Sequence, residues 1–121
     1  MGKLSREKGK RGEREVVKLT RERWHAADPR RTAQVDGTLS ADVIGALRTT
    51  DGGDYHVEVK RVAKLPAITQ GYLNQIETDR DGKPWVLFVR ADGGKWLLVM
   101  DAERSTEFAM DLNEQVFLGG G

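Results

Sequence analysis

YHVEVKRV, running from Tyr55 to Val62, alternates apolar and polar residues with a period of two. That period belongs to a β-strand with one buried face, here Tyr55, Val57 and Val59, and a second face carrying His56, Glu58 and Lys60. Upstream, Ala41 to Leu47 reads as a partner strand, and Thr49-Thr50-Asp51-Gly52-Gly53-Asp54 supplies the turn of a hairpin. Downstream, Pro66 suits the first turn of a helix with Ile68, Tyr72 and Ile76 as its apolar stripe and Gln75 beside it. Asp79 to Pro84 is a turn. Trp85 to Val89 and Trp96 to Met100 form a second strand pair joined at Ala91-Asp92-Gly93-Gly94, and Ala102 to Leu112 forms a C-terminal helix.

The first long helix is expected from about Ser5, an N-cap, to about Ala27, ending before Asp28-Pro29. At about 100° per residue, Val16, Val17, Trp24 and Ala27 form one stripe with Leu19 at its edge, and Glu13 sits in the middle of it. Glu15 and Glu22 fall on the opposite side, and Lys10, Arg11, Arg14, Lys18 and Arg21 on an adjacent flank. A carboxylate in an inward stripe is costly unless it is paired or holds a metal. The order α-β-β-α-β-β, with a C-terminal α, predicts an α/β domain with a mixed sheet flanked by helices.

With 121 residues, 38% hydrophobic and 32% charged, the chain is the size of one domain, expected to span residues 1–121 with a basic flexible arm over 1–10 and a disordered tail over 119–121. The absence of cysteine excludes disulfides and thiolate metal sites and fits a reducing cytoplasm. No apolar run reaches the ~20 residues of a membrane span. The net charge of +1 conceals an asymmetry. Met1 to Arg31 holds eleven Lys/Arg against five Asp/Glu, a net of +6, and the rest nine against fourteen, a net of −5. A basic segment on an acidic body suits a polyanion, although a solvated basic arm has the same composition.

Three carboxylates stand out by placement: Glu13 on the inward helix face, Asp42 at the opening of the first hairpin strand and Glu58 on the second. Hairpin pairing brings Asp42 and Glu58 together, and a helix packed over that end delivers Glu13. Clustered carboxylates without Cys or a His pair favour Mg²⁺, with Mn²⁺ able to substitute. Such an ion activates water and neutralises charge at a phosphodiester, and Lys60, on the face of Glu58, would assist. E-x-K alone is common. Asp81-Gly82-Lys83 lies in a turn and presents no strand, and Asp36 precedes a glycine in a loop. His56 reads as a non-catalytic neighbour, His25 as surface, and the tryptophans as core.

Together KGKRGEREVVKL (Lys8 to Leu19), ADVIG (Ala41 to Gly45) and HVEVKR (His56 to Arg61) resemble the PD-(D/E)XK nuclease superfamily, and more closely its archaeal-type Holliday-junction resolvases, which also occur in phages. The resemblance covers roughly Lys8 to Ile76. It implies a restriction-endonuclease-like fold and a cytoplasmic homodimer that binds four-way DNA junctions and nicks them in pairs with Mg²⁺. On this resemblance Glu13, Asp42 and Glu58, with the Val59 main-chain carbonyl, hold metal, and Lys60 assists the water. The family's loop serine has two candidates, Ser40 and Thr38, and Gln75 is a further catalytic candidate if its helix aims it at the site. Lys8, Lys10, Arg11, Arg14, Arg30 and Arg31 are the expected phosphate contacts, which position DNA without reading sequence. Ala41 stands where the motif has proline. The competing readings are a related nuclease acting on flaps or other branched DNA, and a non-catalytic DNA-binding module of the same fold.

Overall fold

The structure, a computed structural model, describes the backbone of residues 2–32, 41–65 and 69–118 and, within those spans, the side chains from Glu7 to Phe117. The chain opens with α1 (Gly2–Arg23), followed by β1 (Arg30–Arg31), β2 (Val43–Ile44), β3 (His56–Val62), α2 (Gln70–Asp79), β4 (Trp85–Ala91), β5 (Leu97–Met100) and α3 (Ser105–Asn113). The strands form one five-stranded sheet in the order β1-β2-β3-β4-β5. β3 and β4 run parallel, pairing His56 with Trp85 and Val62 with Ala91, while every other neighbour pair is antiparallel. Parallel neighbours need a crossover, and α2 supplies it. The result is the expected α/β architecture: a mixed sheet with helices on both faces.

Period-two alternation on β3 sorts its side chains into two cores. Tyr55 and Val57 pack with Val43, Val86 and Phe88 against Val16 of α1 and Trp24 just past its end, and Phe108 of α3 joins them. On the opposite face Val62, Leu87 and Val89 pack against Ile76 of α2, with Tyr72 and Leu73 at the margin. α2 starts at an N-cap, Thr69, whose hydroxyl accepts from the Tyr72 N–H at 3.1 Å. The expected helix start at Pro66, with Ile68, lies outside the described residues, as do Asp36, Thr38, Ser40 and the 119–121 tail. No helix among the described residues is long and apolar enough to cross a membrane.

Several local expectations are corrected. The segment read as a flexible basic arm is helical from Gly2 onward, continuous with α1. The helix ends at Arg23, before the expected Ala27, because His25 takes a left-handed conformation (φ 54°) and Ala26 N–H bonds Thr20 O at 3.1 Å. A residue in the left-handed region directly after Trp24 cannot continue the helix, so His25 ends it and Pro29 does not. Arg30 and Arg31, read as loop, form an edge strand paired with Ile44 and Val43. The expected strand over Ala41 to Leu47 shrinks to two residues because Gly45 adopts φ +76°, where a Cβ would lie 2.5 Å from Asp28 O. Only glycine permits both that backbone and that approach. Glu15, placed by periodicity on the solvent side, instead joins α1 to the sheet: its Oε1 accepts from Arg90 at 2.7 Å and from the Trp96 indole at 2.9 Å.

Candidate active site

The antiparallel pairing of Val43 with Val57 sets Asp42 beside the start of β3. The Asp42 N–H donates to Val57 O at 2.9 Å, and its Oδ2 accepts from the Val59 N–H at 2.9 Å. Backbone geometry therefore locks this carboxyl against the strand that carries Glu58. The Asp42 carboxyl is pushed up to about 8, first by burial, then by the Glu58 charge and, more weakly, by Glu13, while the Val59 N–H opposes the shift. Two carboxyls brought out of water beside each other cannot both ionise cheaply. Asp42 thus feels the charge of both Glu58 and Glu13.

Glu13 reaches this end of the sheet because α1 lies close to β3 at Gly12, where a Cβ would meet Arg61 Cγ at 2.9 Å. It is 16% exposed, and its Oε1 accepts from Arg31 Nε at 2.9 Å. The inward carboxylate is thus paired by a cation from β1, and Arg31, expected on phosphate, serves Glu13. Among the described residues no group of three or more His, Asp or Glu side chains converges to enclose a metal. The hard oxygens of the Asp42 and Glu58 pair, destabilised by mutual repulsion, are the donor set that suits Mg²⁺ or Mn²⁺. The Val59 contact recorded at the site is its N–H; its carbonyl remains an expectation.

The polar row of β3 is not uniformly solvated. His56 is 3% exposed, Glu58 13%, and Lys60 is exposed, so the row runs from the interior to the surface. His56 Nε2 lies 2.7 Å from Glu58 Oε1. Because an ionised carboxylate only accepts, Nε2 is the protonated nitrogen of this pair. Lys60 Nζ stands over the Tyr72 ring, 5.1 Å from its centroid. Burial raises the Tyr72 phenol well above its usual range, and the charges of Glu58, Asp42 and Asp79 add to the effect. α2 therefore does cover the site, but with Tyr72. Gln75, the candidate from sequence, is exposed and donates to Asp79 at 2.9 Å along its own helix. Sequence reasoning placed Tyr72 correctly in the α2 stripe but assigned it only to packing, and read His56 as a bystander.

The expected phosphate contacts divide. Lys8 pairs with Asp92 at 2.7 Å, Lys10 approaches Glu7 at 4.0 Å, and Arg30 pairs with Asp28 at 3.3 Å. Arg11 and Arg14 are exposed and make no ion pair among the described residues, and Lys18 and Arg21 continue the same open flank. Their spacing of three and four residues places them along one side of α1.

Neither a scan against protein-family models nor a search of curated proteins returned a match. A search of solved structures returned an archaeal Holliday junction resolvase, Hjc from the hyperthermophile Archaeoglobus fulgidus, at a TM-score of 0.50. The two chains are 23% identical, and the match covers 72% of this chain and 73% of the other. The mixed sheet and its flanking helices thus have a counterpart in the fold of that protein.

Proposed function

We propose that this protein is a metal-dependent, structure-selective DNA endonuclease that resolves four-way junctions as a homodimer. The observation that carries the reading is the half-buried Asp42 carboxyl, locked by the Val59 N–H against a strand whose next polar side chains are Glu58 and Lys60. A site that only bound DNA would have no use for clustered, half-buried carboxylates that repel phosphate. The fold likeness to a Holliday junction resolvase supports this reading.

Bound Mg²⁺ or Mn²⁺ supplies a water of lowered pKa and charge neutralisation at the phosphodiester. Asp42 and Glu58 are the residues that would hold it, with Glu13 and the Val59 carbonyl completing the set. Lys60, at the exposed end of the row, orients the attacking water or offsets charge on the phosphate. Arg11 and Arg14 hold the backbone of the DNA, with Lys8, Lys10 and Arg30 available once their surface ion pairs exchange for phosphate, since such pairs contribute little.

The test is cleavage of a labelled four-way junction, a flap and a linear duplex, each with Mg²⁺, Mn²⁺ or EDTA, by wild type, Asp42→Asn and Lys60→Ala. Junction nicking that needs the cation and is lost in both variants supports the proposal. Binding without cleavage under both cations sinks the enzyme reading and leaves a DNA-binding module. Equal cleavage of duplex removes the resolvase reading alone, and preference for the flap favours the branched-DNA alternative.

A further inference from the structure

We infer that His56 is a positioning residue: it holds the Glu58 carboxylate in the orientation the cation needs. The inference rests on the Asp42 and Glu58 pair being the metal-binding pair. His56 lies in an apolar neighbourhood, opposite Trp85 across the β3–β4 ladder, on the sheet face packed by Leu87, Val89 and Ile76. An aliphatic side chain would fill such a position without the cost of burying an imidazole. The backbone holds the ring's origin in place, with the His56 N–H donating to Pro84 O at 2.8 Å.

The recorded side-chain partner of this buried ring is Glu58 Oε1, at 2.7 Å, a charge-assisted length. A carboxylate has about four acceptor positions. Committing one of them to a rigid ring fixes the rotation of the group, and the others stay available to Asp42 and a cation. Imidazole usually stands between a metal and a carboxylate as a ligand. Here the order is reversed, with the carboxylate next to the metal and the imidazole behind it.

The experiment is direct titration of Mn²⁺ into EDTA-treated, then desalted, protein, followed by calorimetry and by the electron paramagnetic resonance of free Mn²⁺. Wild type is compared with His56→Gln, His56→Asn and His56→Leu. Gln places an amide donor where Nε2 stands, Asn is too short to reach Oε1, and Leu fills the volume without a donor. Loss of about 10- to 100-fold in Mn²⁺ affinity in Asn and Leu, with Gln close to wild type, supports the role. Each variant's denaturation midpoint in EDTA reports folding, and the Gln-to-Asn contrast stands even if Leu fails to fold. Equal affinity in wild type, Gln and Asn overturns the role of His56 while leaving the metal site intact. If wild type binds no Mn²⁺ at millimolar concentration, the metal reading of the pair fails first, and the role of His56 falls with it.

Discussion

Replacing Asp42 by Asn removes the group whose ionisation this fold opposes most strongly. In the unfolded chain the carboxyl titrates at its ordinary 3.8, and in the folded, metal-free protein at about 8. Between those values the unfolded state binds fewer protons than the folded state, so stability falls as pH rises through the window. Each unit is worth about 1.4 kcal/mol, which sets a ceiling of roughly 4 kcal/mol on the penalty at pH 7. Asn escapes that penalty. Its amide oxygen can still accept from the Val59 N–H, and its NH₂ can donate to Glu58, but burying the amide returns part of the gain. The expected net is about 1–3 kcal/mol of added stability at neutral pH in EDTA.

The assay is urea denaturation of both proteins in EDTA at pH 5, 7 and 8, repeated with Mg²⁺. The wild type should lose stability from pH 5 to pH 8, the variant should lose less, and the gap should widen with pH. Groups that do not interact with Asp42 cancel in that gap, which reports Asp42 together with the carboxyls coupled to it. Mg²⁺ should close the gap by stabilising the wild type through binding to the folded state alone. An Asn variant less stable than wild type at pH 8 in EDTA, or a gap that does not change with pH, would refute the claim that Asp42 is held in electrostatic conflict.

Two other perturbations probe the surroundings of the pair. Tyr72→Phe keeps an aromatic face under Lys60 and should cleave junctions at near the wild-type rate, whereas Tyr72→Leu should lose about 0.5–1 kcal/mol of cation–π attraction and cut more slowly; single-turnover cleavage by the two variants compares them. Arg11→Ala with Arg14→Ala should weaken junction binding and flatten its logarithmic salt dependence by about 1.8 for two phosphate contacts. Fluorescence anisotropy over a salt series measures that slope, and an unchanged slope would place the DNA elsewhere.

Periodicity in the sequence was enough to find the buried row of β3, since Tyr55, Val57 and Val59 differ from their neighbours in hydrophobicity alone. It also turned Glu13 inward on α1 and put Asp42 at the mouth of the hairpin. Each of these facts depends on residues two to four apart, whose relative directions regular backbone geometry sets. The misreadings have equally specific causes. Two glycines in a run of lysines and arginines resembled a flexible arm, but they only weaken a helix, and here it persists. The Gly45 break in β2 depends on Asp28, seventeen positions earlier in the chain.

What neither α2 nor β3 could reveal on its own was the environment of the row. Tyr72 and Gln75 lie three residues apart on one helix, and the way α2 rests on the sheet decides that the ring meets Lys60 while the amide faces solvent. Arg31 neutralises Glu13 across eighteen positions of sequence, through a two-residue strand too short to leave a periodic signal. Burial and electrostatic coupling depend on distances between groups far apart along the chain, so the desolvation of Asp42 and of His56 exists only once helix, hairpin and crossover have packed. Local pattern singled out Glu58 and Lys60, and packing set the His56 ring against the Glu58 carboxylate.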